Sequence, residues 1–311
     1  MFLIFRIRQV LNSGLFIPTV TRGRPVQNII KSSARVTTKH RTKIHRLIAL
    51  ACTVNFPIIS LFNSSYASNI SRSEMANLTE ADKLFDDAKY EELLNSLKQQ
   101  DNWQKDAQVL WRVARCEFQI SKKLTENKVE HEKLVNEAYE HVKMSLELDD
   151  KNGLAHKWAA ILLDAVSTLK GTKERVLQVL NVRNHMEKAV EYAPKDPTSY
   201  YLLGEWHFSC YQVSWWERKL ASIAFGKLPD ADMEVALKMF EKAEEIEKDF
   251  YSKNKLMLAK TLFELKRERQ RAIELLEDIV AKYSTSDKWD DKEVSTLSMR
   301  YAIEIIPYLR Y

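Results

Sequence analysis

The feature that most constrains this chain is a helix–turn–helix junction at residues 186–208, MEKAVEYAPKDPTSYYLLGEWHF. Pro194 has no N–H to donate and biases Ala193 away from helical angles, so one helix must stop there. Ala189 before the turn and Gly204 after it are small, as they must be where two helix backbones approach closely. Tyr200, Leu203 and Phe208 are large and fill the groove between neighbouring hairpins. A chain organised on such a junction folds as stacked helical hairpins, a scaffold geometry that carries no chemistry of its own.

Composition agrees. Six glycines and seven prolines in 311 residues are too few for the many tight turns of an all-β or doubly wound fold. With 45% hydrophobic and 29% charged residues, the chain has the means to bury a sizeable core. The small residue of the junction recurs as Ala114, Ala160, Gly204 and Ala259, at separations of 46, 44 and 55. A regular tetratricopeptide array repeats every 34 or so residues, about ten fewer than the shorter of these separations. The expected fold is therefore all-α: an irregular tetratricopeptide-like α-solenoid of about nine to eleven helices over residues 78–311, more enclosed than a regular array. Thr79 is expected to cap its first helix with Asp82 three residues on. Residues 87–93 form the first inter-helix turn, and helices are expected at 107–118, 132–148, 153–168 and 173–193. Gly171 ends the third of these. A final hairpin over 240–280, with Ala243, Ala259 and Ala272 at its close contacts, precedes a polar turn at 285–291. A closing helix at 292–310 caps the array.

The net charge of +5 is unevenly placed. Residues 1–73 hold eleven Lys or Arg and no acid, which leaves 37 basic against 43 acidic groups in residues 74–311, a net of −6. The basic character belongs to the leader, so it is no mark of a nucleic-acid-binding domain. Residues 1–46 are Arg-rich and acid-free, with apolar residues spaced from Phe2 to Phe16, the composition of a mitochondrial presequence or of a basic tail without an address. Residues 47–62 are uncharged but just short of a membrane span and interrupted by Asn55 and Pro57. They read as a marginal anchor, a sorting segment or, third, a secretory core with small residues at 65–67 behind it. Residues 63–77 read as a linker.

The largest insertion, residues 209–229, places Val213, Trp216, Leu220 and Ile223 at helical spacing, with Arg218 and Lys219 off that stripe. It reads first as an extra helix packed on the core by its tryptophans. The alternative is an amphipathic element for a membrane surface or an apolar ligand. Adjacent Trp215 and Trp216 cannot share one face, so at least one must lie near the surface or in a groove.

No catalytic constellation is legible. The six glycines never cluster into a phosphate loop, and no nucleophile elbow occurs. Cys52, Cys116 and Cys210 have no zinc spacing and read as reduced, buried thiols. His131-Glu132 lacks the second histidine of a metal-binding helix. His156, His185 and His207 could meet in space, but each also sits at an ordinary packing or turn position, so structural histidines are the first reading. The expectation is a non-enzyme with no cofactor and no metal. The residues expected to line a ligand or partner groove are Trp158, Tyr200, Trp206, His207, Tyr211, Trp215, Trp216, Phe225, Tyr251 and Asn254. They flank a cavity expected between the junction and residues 249–254.

The runs LWRVAR (110–115), HKW (156–158), EKA (187–189) to PKD (194–196) and, above all, DFYSKN (249–254) resemble the regulator of microtubule dynamics proteins. The likeness spans about residues 78–285. It implies a helical repeat fold, no catalysis, and association with microtubules and spindle poles, directly or through a microtubule-associated protein, hence a cytoplasmic location. Membrane-anchored members of the family imply an alternative: a phospholipid-binding, lipid-transfer or tethering module at mitochondrial membranes. The acidic folded part would meet acidic tubulin tails only through a local basic patch or a partner. The leader points instead to mitochondria.

Overall fold

The computed structural model describes residues 72–124, 126–225, 228–285 and 289–305. The basic leader, the apolar segment and residues 63–71 of the linker lie outside the described residues, as does Cys52. Among the described residues there are twelve α-helices and no strand. They are α1 (Arg72–Asp86), α2 (Tyr90–Lys98), α3 (Ala107–Ser121), α4 (Lys128–Leu148), α5 (Gly153–Lys170) and α6 (Thr172–Tyr192), followed by α7 (Pro197–Tyr211), α8 (Trp215–Phe225), α9 (Met233–Ile246), α10 (Ser252–Glu264), α11 (Arg269–Tyr283) and α12 (Trp289–Ile305). The all-α solenoid expected from the sequence is the fold, with twelve helices where nine to eleven were expected. Residues 212–228, which carry α8, form a different compact unit from the helices on either side.

Each α-hairpin of the main unit packs on the next. The pairs are α1–α2, α3–α4, α5–α6, α7–α9 and α10–α11, and α12 closes against α10 and α11. Contacts also run between every second element, α3 to α5 and α7 to α10, which marks these four as inner helices. Their sequences show it. In α5 the residues from Gly153 to Leu163 are all buried, and in α10 those from Ser252 to Ala259 are all buried, polar ones included.

Helix ends follow local chemistry. Asp106 caps α3 by accepting from the N–H groups of Gln108 (2.7 Å) and Val109 (3.3 Å). Asn127, Asn152 and Asp232 cap α4, α5 and α9 in the same way. α6 stops at Tyr192, two residues before Pro194, and Pro197 opens α7, where its missing N–H costs nothing. The expected cap at Thr79 is not used: α1 starts at Arg72 and Thr79 lies inside it. α1 instead turns into α2 through Ala88 at φ +58°, with Lys89 N–H bonded to Leu84 O at 2.9 Å.

Ala114, Ala160, Ala259, Ala243 and Ala272 are fully buried, as close helix contacts require. Gly204 faces Phe240 so closely that a Cβ would lie 2.8 Å from its ring. Gly153 is tighter still. A Cβ there would meet the backbone of Ala193 at 2.5 Å, so α5 begins directly against the end of α6.

Candidate functional site

The expected groove residues divide between core and surface. Trp158 is fully buried and packs edge-on against Phe85 and Phe118, with ring centroids 6.2 and 6.3 Å away. It is core. Trp206 and His207 on α7 are also buried, and their polar atoms bond inward. Trp206 Nε1 donates to Val179 O at 3.2 Å, and His207 Nδ1 accepts the Asp232 N–H at 3.2 Å. Tyr200 is buried, while Tyr211 at the end of α7 is exposed. Trp215 and Trp216 lie on α8, and both are exposed.

Tyr251 and Asn254 are brought together with α7 and α9. The Tyr251 ring stands perpendicular to Tyr201, centroids 5.1 Å apart, and Lys253 Nζ lies 6.0 Å from the Tyr251 ring. The Tyr201 hydroxyl hydrogen-bonds the Glu205 carboxylate, and burial pushes both groups above their ordinary pKa ranges. Tyr251 is half-buried, so α7 and α10 together offer an aromatic edge beside one acid and one base.

The rest of the 249–254 run is architecture. Asp249 sits at φ +63°, its N–H donating to Glu244 Oε1 at 2.9 Å. Burial works against ionised Asp249, but Lys255 and Lys282 outweigh it and hold the carboxyl below its usual range. Lys255 also binds Asp278, Ser252 Oγ donates to Asp291 at 2.9 Å, and Asn254 Nδ2 donates to Phe240 O at 3.1 Å. One short loop thus ties α9, α10, α11 and α12.

A second buried ionic cluster joins α1, α3, α5 and α7. Asp82 accepts Arg112 Nε (3.0 Å) and Nη2 (2.8 Å) and pairs with Arg115. Burial raises its pKa, yet the Arg115 and Arg112 guanidiniums bring the net shift below the ordinary range. Both guanidiniums also cover the Trp111 ring, at 4.2 and 4.8 Å. Lys157 Nζ donates to Asp196 Oδ1 at 3.0 Å, while Asp196 Oδ2 caps α7 by accepting Ser199 N–H at 2.9 Å. Burial brings Lys157 down to about 8 against the pull of Asp196. These ions, absent from the expected site, had one legible signal: Arg112 and Arg115 stand about one turn apart, within the apolar run of residues 109–114 and at its end.

The insertion corrects the expected packing. Val213 is buried as expected, but Trp216 and Ile223 of the same stripe are exposed, at 48% and 76%, and Trp215 is 75% exposed. The covered side of α8 instead carries Val213, Glu217 and Ala221. Ser214 and Glu217 form a capping box, the carboxylate accepting Ser214 N–H at 2.9 Å and Ser214 Oγ at 2.6 Å, and this turns Glu217 to that side. Phe225 lies at the helix end.

Little here suits covalent or acid–base chemistry. Cys116 is buried and its thiol pushed up to about 12, mainly by burial, and Cys210 is buried as well. Among the described residues no group of three or more His, Cys, Asp or Glu is placed to hold a metal ion, and no helix is long and apolar enough to cross a membrane.

The family model described as regulator of microtubule dynamics protein 1-3 matches residues 77–302. The chain is 34% identical to regulator of microtubule dynamics protein 1 of Mus musculus over 219 residues, 70% of this chain and 70% of that protein. It is 35% identical to regulator of microtubule dynamics protein 3 of Xenopus laevis over 154 residues, covering 49% of this chain and 32% of that one. Among solved structures, a thermophilic TPR protein of Thermus thermophilus superposes with a TM-score of 0.48 at 13% identity, over 75% of this chain and 98% of that one.

Proposed function

The chain belongs to the regulator of microtubule dynamics family, and on that premise we propose that it is a non-enzymatic helical scaffold that associates with microtubules, at the spindle among other places, and alters their dynamics. Family membership over residues 77–302 is the observation that carries this reading. The inner helices support it: Arg112, Arg115 and Lys157 are tied up in buried ion pairs that hold the hairpins together, as a scaffold requires. Of the expected groove residues, half-buried Tyr251, which packs on Tyr201, and exposed Tyr211 are the ones we assign to partner contact.

Charge decides how that contact is made. With the folded part net acidic, attraction to acidic tubulin tails falls to the eleven cations of residues 1–73 or to a microtubule-associated partner. The full chain should co-sediment with purified microtubules at low salt and release as salt screens the attraction. Absence from the pellet at every salt, with and without cytosolic extract, together with unchanged growth and shrinkage rates, would refute the reading.

A second reading is a phospholipid-binding or tethering module at mitochondrial membranes, favoured by the composition of the leader and by the exposed tryptophans of α8. It expects phospholipid mass on the purified protein in native mass spectrometry and retention of a tagged full chain at mitochondria. A clean apo mass after mild extraction would count against it.

A further inference from the structure

We propose that the outward face of α8 is a docking surface for an anionic lipid bilayer, resting at headgroup depth. The proposal deepens the membrane reading and rests on it for the presence of a membrane. It does not require a lipid held inside the helical domain.

The observation is an inversion of ordinary helix packing. At about 100° per residue, Trp215, Trp216, Lys219, Ser222 and Ile223 fall within one arc of about 120°, so the adjacent tryptophans, expected on different faces, lie on the same broad one. All five are exposed. The covered side holds the acid and the alanine, Glu217 and Ala221. A water-facing helix normally does the opposite, and two adjacent exposed tryptophans with an exposed isoleucine cost solvation without any return in packing.

The composition of the arc selects the occupant. Tryptophan is the side chain most suited to the headgroup boundary, its body apolar and its indole N–H wet. Lys219 Nζ lies over the Trp215 ring at 5.1 Å, so its alkyl stem runs along the apolar face and its charge sits at the rim. Arg218 flanks the arc and Lys227 follows the helix in sequence. The only acid of α8, Glu217, is held by the Ser214 capping box and fully buried, so the exposed face bears apolar, small and positive groups with no negative charge. That sign matches anionic headgroups. A protein groove for the same stripe would not call for a cation stacked on the outermost tryptophan.

The test uses the full chain and vesicles of phosphatidylcholine with phosphatidylserine, part of the phosphatidylcholine carrying brominated acyl chains that quench tryptophan on insertion. Wild type should bind and show quenching, and Trp215→Ala/Trp216→Ala should lose the quenching and bind at least about tenfold more weakly. Lys219→Glu should weaken binding to anionic vesicles and leave binding to pure phosphatidylcholine unchanged. Because the leader is basic and can adsorb without inserting, quenching rather than pelleting decides. Both tryptophans are exposed, so the double variant should melt as wild type does. Wild type that binds and is quenched equally in the double variant would overturn the assignment to α8 while leaving the membrane reading standing. Wild type that binds no vesicle of either composition would overturn both.

Discussion

His156 and His185 place a measurable pH dependence in the α5–α6 hairpin. Their Nδ1 atoms are 2.8 Å apart, and His156 Nε2 is 2.9 Å from Asp150 O. A carbonyl only accepts, so His156 Nε2 carries the proton, His156 Nδ1 is the acceptor and His185 Nδ1–H is the donor. The folded pair therefore has no room for two additional protons, since a proton on His156 Nδ1 would face the His185 N–H. Burial first, then His156 and Lys188, bring His185 down to about 4, and burial also lowers His156 despite Asp150 and Asp149 nearby. Tyr192 packs on His156 with ring centroids 5.9 Å apart.

The sign follows from proton counts. Between about pH 4 and about 6.5 the unfolded chain binds more protons than the folded one, so stability is full above the unfolded value and falls as pH drops through that window. Each pKa unit is worth about 1.4 kcal/mol, and with His185 only half-buried the loss from pH 7 to pH 5 is about 1–2 kcal/mol. Urea unfolding of the full chain at both pH values measures it. His185→Asn keeps a donor toward His156 and removes the titration, so its pH 5 to 7 difference should shrink by that amount. An unchanged difference in the variant would refute the reasoning.

Asp82→Asn leaves the Arg112 and Arg115 guanidiniums buried without their counter-charge and should cost about 3–5 kcal/mol by denaturant unfolding. Gly153→Ala should destabilise by about 1–3 kcal/mol and more than Gly204→Ala, because its Cβ meets Ala193 backbone whereas that of Gly204 meets a ring that can shift. Cys116, buried with its thiol pushed up to about 12, should resist thiol reagents at pH 8 in the native protein and react only on unfolding, as followed by mass spectrometry.

How much of this was legible depended on whether a signal was local. Pro194, the capping residues and the small residues at 114, 160, 204 and 259 act within a turn or at one close contact, so their spacing alone specified stacked, stretched helical hairpins. The run at 249–254 carried the family resemblance, but what its residues do was invisible in the sequence: Asp249 reaches Lys282 on α11, and Ser252 reaches Asp291 on α12. The same holds for Asp82 and Arg112, thirty positions apart and joined only when α1 lies along α3. Side-chain periodicity also left the sense of α8 undecided. The expected stripe is split in the fold: Val213 is buried whereas Trp216 and Ile223 face water, and the covered side carries Glu217, held by the Ser214–Glu217 box, and the small Ala221. The sequence by itself determined the helices, their turns and the class of fold, because those depend on neighbours within a few residues. Which charges are buried in pairs, and which tryptophans are core and which are surface, only the tertiary structure decided, because burial is a property of what other segments bring to a side chain.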